Sequence, residues 1–234
     1  FYTRAGMPKD YLDDLARMWE QRSAENMTMP TMPSGYERLQ DGQILTIGDH
    51  DWRVVVGSGH SPEHACLYCA ALKIMISGDQ ILPIITSNVS VHPTEPNANP
   101  LKDWMDSHDS LLSTPADTLV LPAHNLPFYG VRERLRGLIS HHDDRMLAIE
   151  EACVEPQIAK DLLPVLFARE LDPRQMMMAL GEAIAHLHLL MHRNRLERTL
   201  HEDGIYRFLS IDPDLNRRAH PGAHDAPSDS PVMV

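Results

Sequence analysis

Residues 57–79 read GSGHSPEHACLYCAALKIMISGD, and an apolar run at 54–56 directly precedes them. That run stops against two glycines, which predicts a buried strand with His60 on the loop that follows it. Two further apolar runs lie inside the quoted segment and predict two more short strands, the second of which ends at Asp79. Because side chains at strand ends converge on a cleft, His60 and Asp79 are candidate functional residues. Imidazole nitrogen and carboxylate oxygen are donors that suit zinc, manganese or iron.

Three short motifs follow one another along the chain: GHSPEH at 59–64, SGD at 77–79 and LPAHN at 121–125. Their order and spacing resemble the later part of a metallo-β-lactamase-fold hydrolase. The resemblance implies that His60 binds one metal ion, that Asp79 bridges two metal ions, and that His124 binds the second. One position departs mildly from the family pattern, because the usual glycine before the last histidine is Ala123 here.

The same resemblance implies a fold and a chemistry. The fold would be α/β, the C-terminal part of an αββα metallo-β-lactamase sandwich. Two divalent metal ions, zinc in the first instance, would bind a hydroxide that attacks an ester, thioester, lactone or phosphodiester. The layout is similar to hydroxyacylglutathione-hydrolase-like and β-lactamase-like-2 proteins, which favours a small acyl substrate. His64 would fix the loop that carries His60, and His92 in the long loop 80–100 is a candidate for substrate contact.

The family's HxHxDH signature, which supplies four of the seven metal ligands, is not found upstream of these motifs. Residues 1–49 contain no histidine, and the chain begins without methionine in sequence that has a helical pattern. We therefore expect residues 1–234 to be the C-terminal portion of a longer hydrolase. On this reading the chain is inactive by itself.

Composition excludes several classes of function. The formal net charge is −12 at pH 7, which argues against general nucleic-acid affinity because that affinity needs Lys and Arg to neutralise phosphates. Three cysteines do not make a disulfide framework, so a reducing cytoplasm is the expected location. Cys66 and Cys69 are expected to be buried apolar residues. The longest apolar runs are far shorter than the roughly 20 residues that span a bilayer, so no membrane partner is expected.

Hydrophobic periodicity divides the chain into three parts. Residues 1–153 are predicted to be the hydrolase part, and 154–211 a small C-terminal domain. Residues 212–234 show no periodicity and are expected to be disordered. The helices predicted in the first part lie at 8–26, 99–112 and 131–153. The strands predicted in the first part lie at 43–47, 52–56, 65–70, 72–76 and 118–121.

The C-terminal domain is predicted to be winged-helix-like. Two helical patterns at 157–169 and 174–193 precede two short strands around the Asp-Gly turn at 203–204. The second helix is broadly apolar and carries cations only at its ends, so we expect no binding to duplex DNA. That helix and the apolar stripe at 7–19 instead predict burial against the hydrolase part or against a second copy, as a homodimer.

The remaining histidines are interpreted as structural. His141 and His142 are adjacent and would face about 100° apart on a helix, so both are treated as helix-surface residues. His186, His188 and His192 have no obvious acidic or cysteine partner nearby, and no metal is expected there.

Two other functions stay open. The first is an RNA nuclease of the same fold, which would need a basic groove beside the metals. The second is a partner-binding protein that has kept the fold and lost the site. The joint presence of His60, Asp79 and His124 argues against the second alternative.

Overall fold

The computed structural model describes residues 1–26 and 33–213. The tail expected to be disordered therefore lies outside the described residues, apart from its first two. The main sheet has five strands: β1 (Ile44–Ile47), β2 (His50–Gly57), β3 (His64–Cys69), β4 (Ile74–Gly78) and β5 (Leu119–Pro122). The described helices are α1 (Lys9–Asn26), α2 (Pro100–Asp106), α3 (His108–Leu112), α4 (Val131–Ala152), a 3-10 helix (Ala159–Leu162), α5 (Leu163–Leu166) and α6 (Pro173–His192).

The order of the strands in the sheet follows their order in the chain. β1 to β4 form antiparallel pairs, whereas β5 runs parallel to β4. In the β4–β5 pair, Ile76 lies opposite Leu121 and Gly78 lies opposite Pro122. Parallel strands end at the same edge of a sheet. The residues that follow these two strands, Asp79 and His124, therefore leave the sheet side by side.

The predicted strands and helices of the first part are confirmed, with two local differences. The strand predicted from residue 72 begins at Ile74, because a turn with Lys73 at a positive φ of 53° precedes it. The helix predicted at 99–112 is broken at Ser107 into α2 and α3. The four-layer αββα arrangement stays a prediction, since the described residues form a single five-stranded sheet and one separate hairpin.

Helix α6 is the centre of the helical layer. Its start is defined by a capping box, in which the Asp172 carboxylate accepts from the backbone N–H groups of Arg174 and Gln175 at 2.8 and 2.9 Å. Every residue from 179 to 190 is buried, and the helix packs against α2, α4 and the 3-10 helix. This chain itself therefore covers residues 179–190 of the apolar helix, while Met178 stays exposed, which weakens one of the two reasons to expect a homodimer.

The other reason to expect a homodimer is the apolar stripe at 7–19, which the described residues bury only in part. Met18 is 49% exposed and Trp19 is 54% exposed on α1. The Arg174 guanidinium lies 6.0 Å from the Trp19 ring centroid. The homodimer stays a prediction.

The C-terminal part differs from expectation before α6. The helix predicted at 157–169 is replaced by the 3-10 helix and the one-turn helix α5. Pro164 has no backbone N–H and favours only the first turn of a helix, which explains why a long helix does not form. After α6, β6 (Leu196–Leu200) and β7 (Tyr206–Ser210) form the expected antiparallel hairpin. The winged-helix-like assignment itself stays a prediction.

His142 does not lie on the helix surface, and that expectation was wrong. Its side chain is fully buried, with Nδ1 3.0 Å from His186 Nε2. His186 Nδ1 donates in turn to the Glu182 carbonyl at 2.8 Å, so its Nε2 is free to accept from His142. Burial lowers the pKa of His186 to about 4. These histidines fill the space between α4 and α6 as neutral rings.

No described helix is long and apolar enough to cross a membrane. All three cysteines are buried and free, as expected for Cys66 and Cys69. Burial raises the pKa of the Cys66 thiol to about 12.

Candidate metal centre and cavity

His60 lies in the short loop between β2 and β3, and its ring is oriented by a backbone carbonyl. Its Nδ1 is 2.8 Å from the carbonyl oxygen of Asn88. Since a carbonyl only accepts, Nδ1 carries the proton and Nε2 presents its lone pair. That Nε2 lies 3.7 Å from Asp79 Oδ2. An imidazole fixed in this way is typical of metal-binding histidines.

Asp79 is approached by two histidines, one at each oxygen. His124 Nε2 lies 3.2 Å from Asp79 Oδ1, whereas His60 Nε2 approaches the other oxygen, Oδ2. The Asp79 side chain is 28% exposed and that of His124 is 62% exposed, so the cluster opens to solvent at His124. The structure thus brings together the three residues that the motifs predict, although they are separated by up to 64 positions in the sequence.

The His64 side chain packs against both the loop that carries His60 and the backbone that carries Asp79. A Cβ on Gly78 would lie 2.5 Å from His64 Nε2, so the imidazole packs directly on the backbone that carries Asp79. His64 Nδ1 is 3.4 Å from Ser61 Oγ, and the ring meets His60 edge to face. Burial is the main cause that lowers the pKa of His64. We therefore expect a neutral imidazole whose role is to hold the loop.

Gln80 is a supporting residue that the sequence analysis missed. Its Nε2 donates to the Ser58 carbonyl at 3.1 Å and to Ser107 Oγ at 3.2 Å. A Cβ on Gly57 would lie 2.3 Å from Gln80 Cδ, so the glycine at this position permits the contact. The residue after Asp79 thereby fastens the start of the His60 loop. Its position directly after the SGD motif is the only signal that could have singled it out.

His92 is not brought to the site. It is exposed and does not line the cavity beside Asp79. The loop that contains it forms one wall of the cavity instead through residues 82–88, which come earlier. Contact of His92 with a substrate stays an untested prediction.

A cavity of about 650 Å³ opens beside the three motif residues. Its apolar wall comes from the loop after β4, from α4 and α6, and from the segment between α5 and α6: Leu82, Ile84, Ile85, Leu138, Phe167, Leu171, Met178 and Ala179. Its polar lining comes mainly from α4 and α6: Arg134, His141, Arg145, Arg169, Gln175 and Glu182. The cavity volume is in the range of small-molecule sites.

The two α4 arginines that line the cavity, Arg134 and Arg145, are held by neutral acceptors. Arg134 donates to the carbonyl oxygens of Leu82 and Ile85 at 2.6 and 2.8 Å. Arg145 donates to His141 Nε2 and to the Leu166 carbonyl, both at 2.6 Å. Burial lowers the pKa of each guanidinium, because removal from water disfavours the charged form.

Glu182 is the second carboxyl group of the lining, and it lies at the α6 side. The residue is 7% exposed, and burial raises its pKa to about 7, with Arg145 acting in the opposite direction. Burial also lowers the pKa of His141, and the nearby Arg145 charge adds to that effect. The sequence analysis missed both the arginines and Glu182. The spacing of 134, 138, 141 and 145 on one helix face was the available signal.

The donor atoms around Asp79 are of the kind that a divalent metal binds. Two imidazole nitrogens and two carboxylate oxygens face one another, and zinc sites normally present three or four protein ligands. Among the residues that the structure describes, no group of three or more His, Cys, Asp and Glu side chains is arranged to hold a metal ion. His60, Asp79 and His124 therefore fit part of a metal site rather than a complete one.

Two family models match the chain. The model described as Metallo-beta-lactamase superfamily matches residues 3–124, and the one described as Metallo-beta-lactamase-like, C-terminal domain matches residues 146–211. The first match covers more than half of the chain and ends at His124. The chain belongs to the metallo-beta-lactamase superfamily.

Two solved structures are similar to this metallo-beta-lactamase superfamily member over most of its length. A beta-lactamase domain protein from Burkholderia ambifaria is 42% identical, with a TM-score of 0.83, and the match covers 90% of this chain and 60% of that one. A metallo-beta-lactamase family protein from Thermus thermophilus is 25% identical, with a TM-score of 0.68, and the corresponding shares are 88% and 66%. The chain thus spans less than two thirds of either relative.

Members of the metallo-beta-lactamase superfamily are generally hydrolases that bind divalent metals. Membership therefore suggests metal-dependent hydrolysis, and it agrees with the donor set around Asp79. The hydroxyacylglutathione-hydrolase-like subgroup, the substrate and the identity of the metal are matters for proposal.

Proposed function

We propose that the protein containing this chain is a metal-dependent hydrolase that cleaves an ester, thioester or lactone of a small acyl compound. The observation that carries the proposal is the position of His60, Asp79 and His124 at the wall of a cavity of about 650 Å³. An apolar wall suits the acyl part of a substrate, and the motif residues lie where a scissile bond could meet them.

Three side chains of this site have separate roles in the proposal. The Nε2 atoms of His60 and His124 and the carboxylate of Asp79 would hold divalent metal ions. Zinc is favoured, and manganese and iron are the alternatives for these donor atoms. When bound, such metals lower the pKa of a water molecule and polarise the scissile group. The Asn88 carbonyl keeps His60 in the tautomer that presents Nε2. His64 keeps the Asp79 backbone in place.

The expected cellular setting is a reducing cytoplasm. The three thiols are free and buried, and the distribution of cations gives the C-terminal part no stripe for duplex DNA. The cytoplasmic location and the lack of binding to duplex DNA both stay proposals, and neither depends on the metal site.

The site proposal is tested by Asp79→Asn in the protein that contains this chain. An amide cannot supply the charge that two cations require, so we expect loss of one metal and a fall in turnover of about a hundredfold or more. Metal analysis and an assay on a small panel of esters, thioesters and lactones measure the two effects. Asp109→Asn, an exposed change on α3, is the matched control. Unchanged metal content in Asp79→Asn would refute the assignment.

One observation favours the nuclease alternative enough to test it. Arg134, Arg145 and Arg169 line the cavity, and a nuclease of this fold needs cations beside the metals. Cleavage of a labelled single-stranded RNA in the same preparation, abolished by Asp79→Asn, would assign the protein to that class. A protein that binds metal but hydrolyses neither acyl compounds nor RNA would support a non-catalytic role.

A further inference from the structure

Four residues of α4 form one stripe along the cavity. Arg134, Leu138, His141 and Arg145 all line it, at the i, i+4, i+7 and i+11 spacing of a single helix face. Eleven residues at 1.5 Å each place the two arginine Cα atoms about 16 Å apart along the helix axis. Arg134 is tied to the loop that follows Asp79, whereas Arg145 contacts Phe167 and the Leu166 carbonyl. The cavity therefore has a cation at each of two distant places.

Arg145 is a partly buried cation that no close ion pair compensates in the described part of the chain. Its Nη2 has no acceptor, and its guanidinium has no ion pair, among the residues that the structure describes. Glu182 lines the same cavity and attracts the Arg145 charge without forming an ion pair with it, and burial raises the pKa of this carboxyl to about 7, which limits the compensation. Removing a charge from water is costly unless an opposite charge compensates it. The chain as a whole carries a net charge of −12, so this local excess of positive charge is not a consequence of composition.

The Arg145 guanidinium is also held in place before any ligand binds. His141 and Leu166 accept from Nε and Nη1, and the guanidinium lies 5.2 Å over the Phe167 ring. Nε and Nη1 thus each have an acceptor, and the N–H groups of Nη2 are left for a ligand. A guanidinium held in this way binds an oxyanion with little loss of conformational entropy.

We propose that the acyl substrate carries an oxyanion, a carboxylate or a phosphate, at the end remote from the scissile bond, and that Arg145 binds it. The inference rests on the proposed hydrolase function and specifies its substrate class. The apolar wall between the motif residues and Arg145 receives the hydrocarbon part. A walled cavity of this size favours a small molecule over a nucleic-acid strand, which would need an open groove.

The test measures binding rather than turnover. Octanoate, octyl phosphate and the neutral octan-1-ol are titrated into the purified chain by calorimetry, with a chelator present so that metals cannot capture the oxyanion. A charge-assisted hydrogen bond contributes enough to predict about tenfold to hundredfold tighter binding of at least one oxyanion than of the alcohol. The tighter of the two oxyanions identifies the group. Arg145→Gln should remove the advantage and leave alcohol binding unchanged.

Arg136→Gln is the matched control, because Arg136 lies on the same helix, faces solvent and does not line the cavity. We expect it to bind all three probes like the wild type. Equal binding of the oxyanions and the alcohol by the wild type overturns the inference, and so does an oxyanion preference that survives in Arg145→Gln. Tight binding of a short single-stranded oligoribonucleotide that needs Arg145, without binding of either octyl oxyanion, overturns it in favour of the nuclease. None of these results affects the metal and hydrolysis tests of the proposed function.

Discussion

At the scale of single residues, the candidate centre depends on close packing between backbone and side chain. Gly78 ends β4 with a φ of +54°, and His64 occupies the space where a side chain would lie. Glycine adopts this backbone conformation without steric cost, whereas other residues do not. The position of Asp79 is therefore coupled to a contact made by His64, a residue fifteen positions earlier.

Gly78→Ala is expected to destabilise the fold by about 1–3 kcal/mol, because it combines an unfavourable φ with a collision against His64. Chemical denaturation of the two proteins measures the change. Gly137→Ala on α4 is the matched control, since a Cβ there meets nothing within 4 Å. Alanine in that helix should stabilise by about 0.5–1 kcal/mol. Similar values for the two variants would contradict the packing argument.

Glu182 gives a second prediction at this scale, in the pH dependence of stability. Its pKa is raised from 4.5 to about 7 in the folded chain, so the folded form keeps a proton that the unfolded form has lost. Stability due to the neutral carboxyl is thus present below pH 4.5 and is lost as pH rises through about 7. Glu182→Gln removes this loss, which is on the order of 3 kcal/mol.

We therefore expect Glu182→Gln to be more stable relative to the wild type at pH 8 than at pH 5, in thermal or denaturant unfolding. Comparing variant with wild type at each pH cancels the contribution of His186, which has the opposite sign. Its pKa is lowered, so its contribution is lost as pH falls. Glu197→Gln on the exposed face of β6 is the control and should show no such difference. An equal effect of Glu182→Gln at both pH values would be inconsistent with a buried, neutral carboxyl.

At the scale of elements, α4 and α6 build the cavity between them. One face of α4 supplies the stripe that runs from Arg134 to Arg145. The first half of α6 supplies Gln175, Met178 and Glu182. The start of α6 is set by its cap. Asp172 accepts from two backbone N–H groups, and Gln175 Oε1 accepts from the Asp172 N–H at 3.2 Å.

Asp172→Ala should cost about 1 kcal/mol of stability by leaving these N–H groups without their acceptor, and Asp172→Ser should restore most of it. Denaturant unfolding measures both variants. If alanine and serine destabilise equally, the cap does not determine where α6 begins. The alanine variant is also expected to weaken ligand binding in the cavity, because Gln175 lines it.

At the scale of the whole molecule, a chain with net negative charge forms a cavity lined by three arginines. The same cavity is lined by the three side chains that fit part of a metal site. The match spans 60% and 66% of the two relatives. Three side chains offer each of two metals at most two protein ligands, whereas zinc sites normally present three or four.

We therefore expect the purified 234-residue chain to retain well under one equivalent of zinc after dialysis and to show no esterase activity. Metal analysis and an ester assay check the two statements. Retention of two equivalents, with activity that a chelator abolishes, would place a complete site within this chain. The control is the same chain carrying Asp79→Asn, which should lose whatever zinc remains.

Much of this molecule could be predicted from local patterns. Short apolar runs predict β2 to β5, a helical pattern at 174–193 predicts α6 to within one residue at each end, and three motifs single out His60, Asp79 and His124. These features depend on neighbours within a few residues, where backbone sterics and hydrogen bonds act. The parallel β4–β5 pair then brings the motif residues together.

The cavity could not be predicted in this way, because it depends on which elements pack against each other. His142 was treated as a surface residue and Arg145 was not singled out, yet α6 buries the first and the Leu166 carbonyl and Phe167 ring hold the second. Burial, raised or lowered pKa values and the pairing of Arg145 with neutral acceptors arise only from contacts between distant parts of the chain. The sequence pattern shows which face of a helix is apolar, while the tertiary structure decides what that face meets.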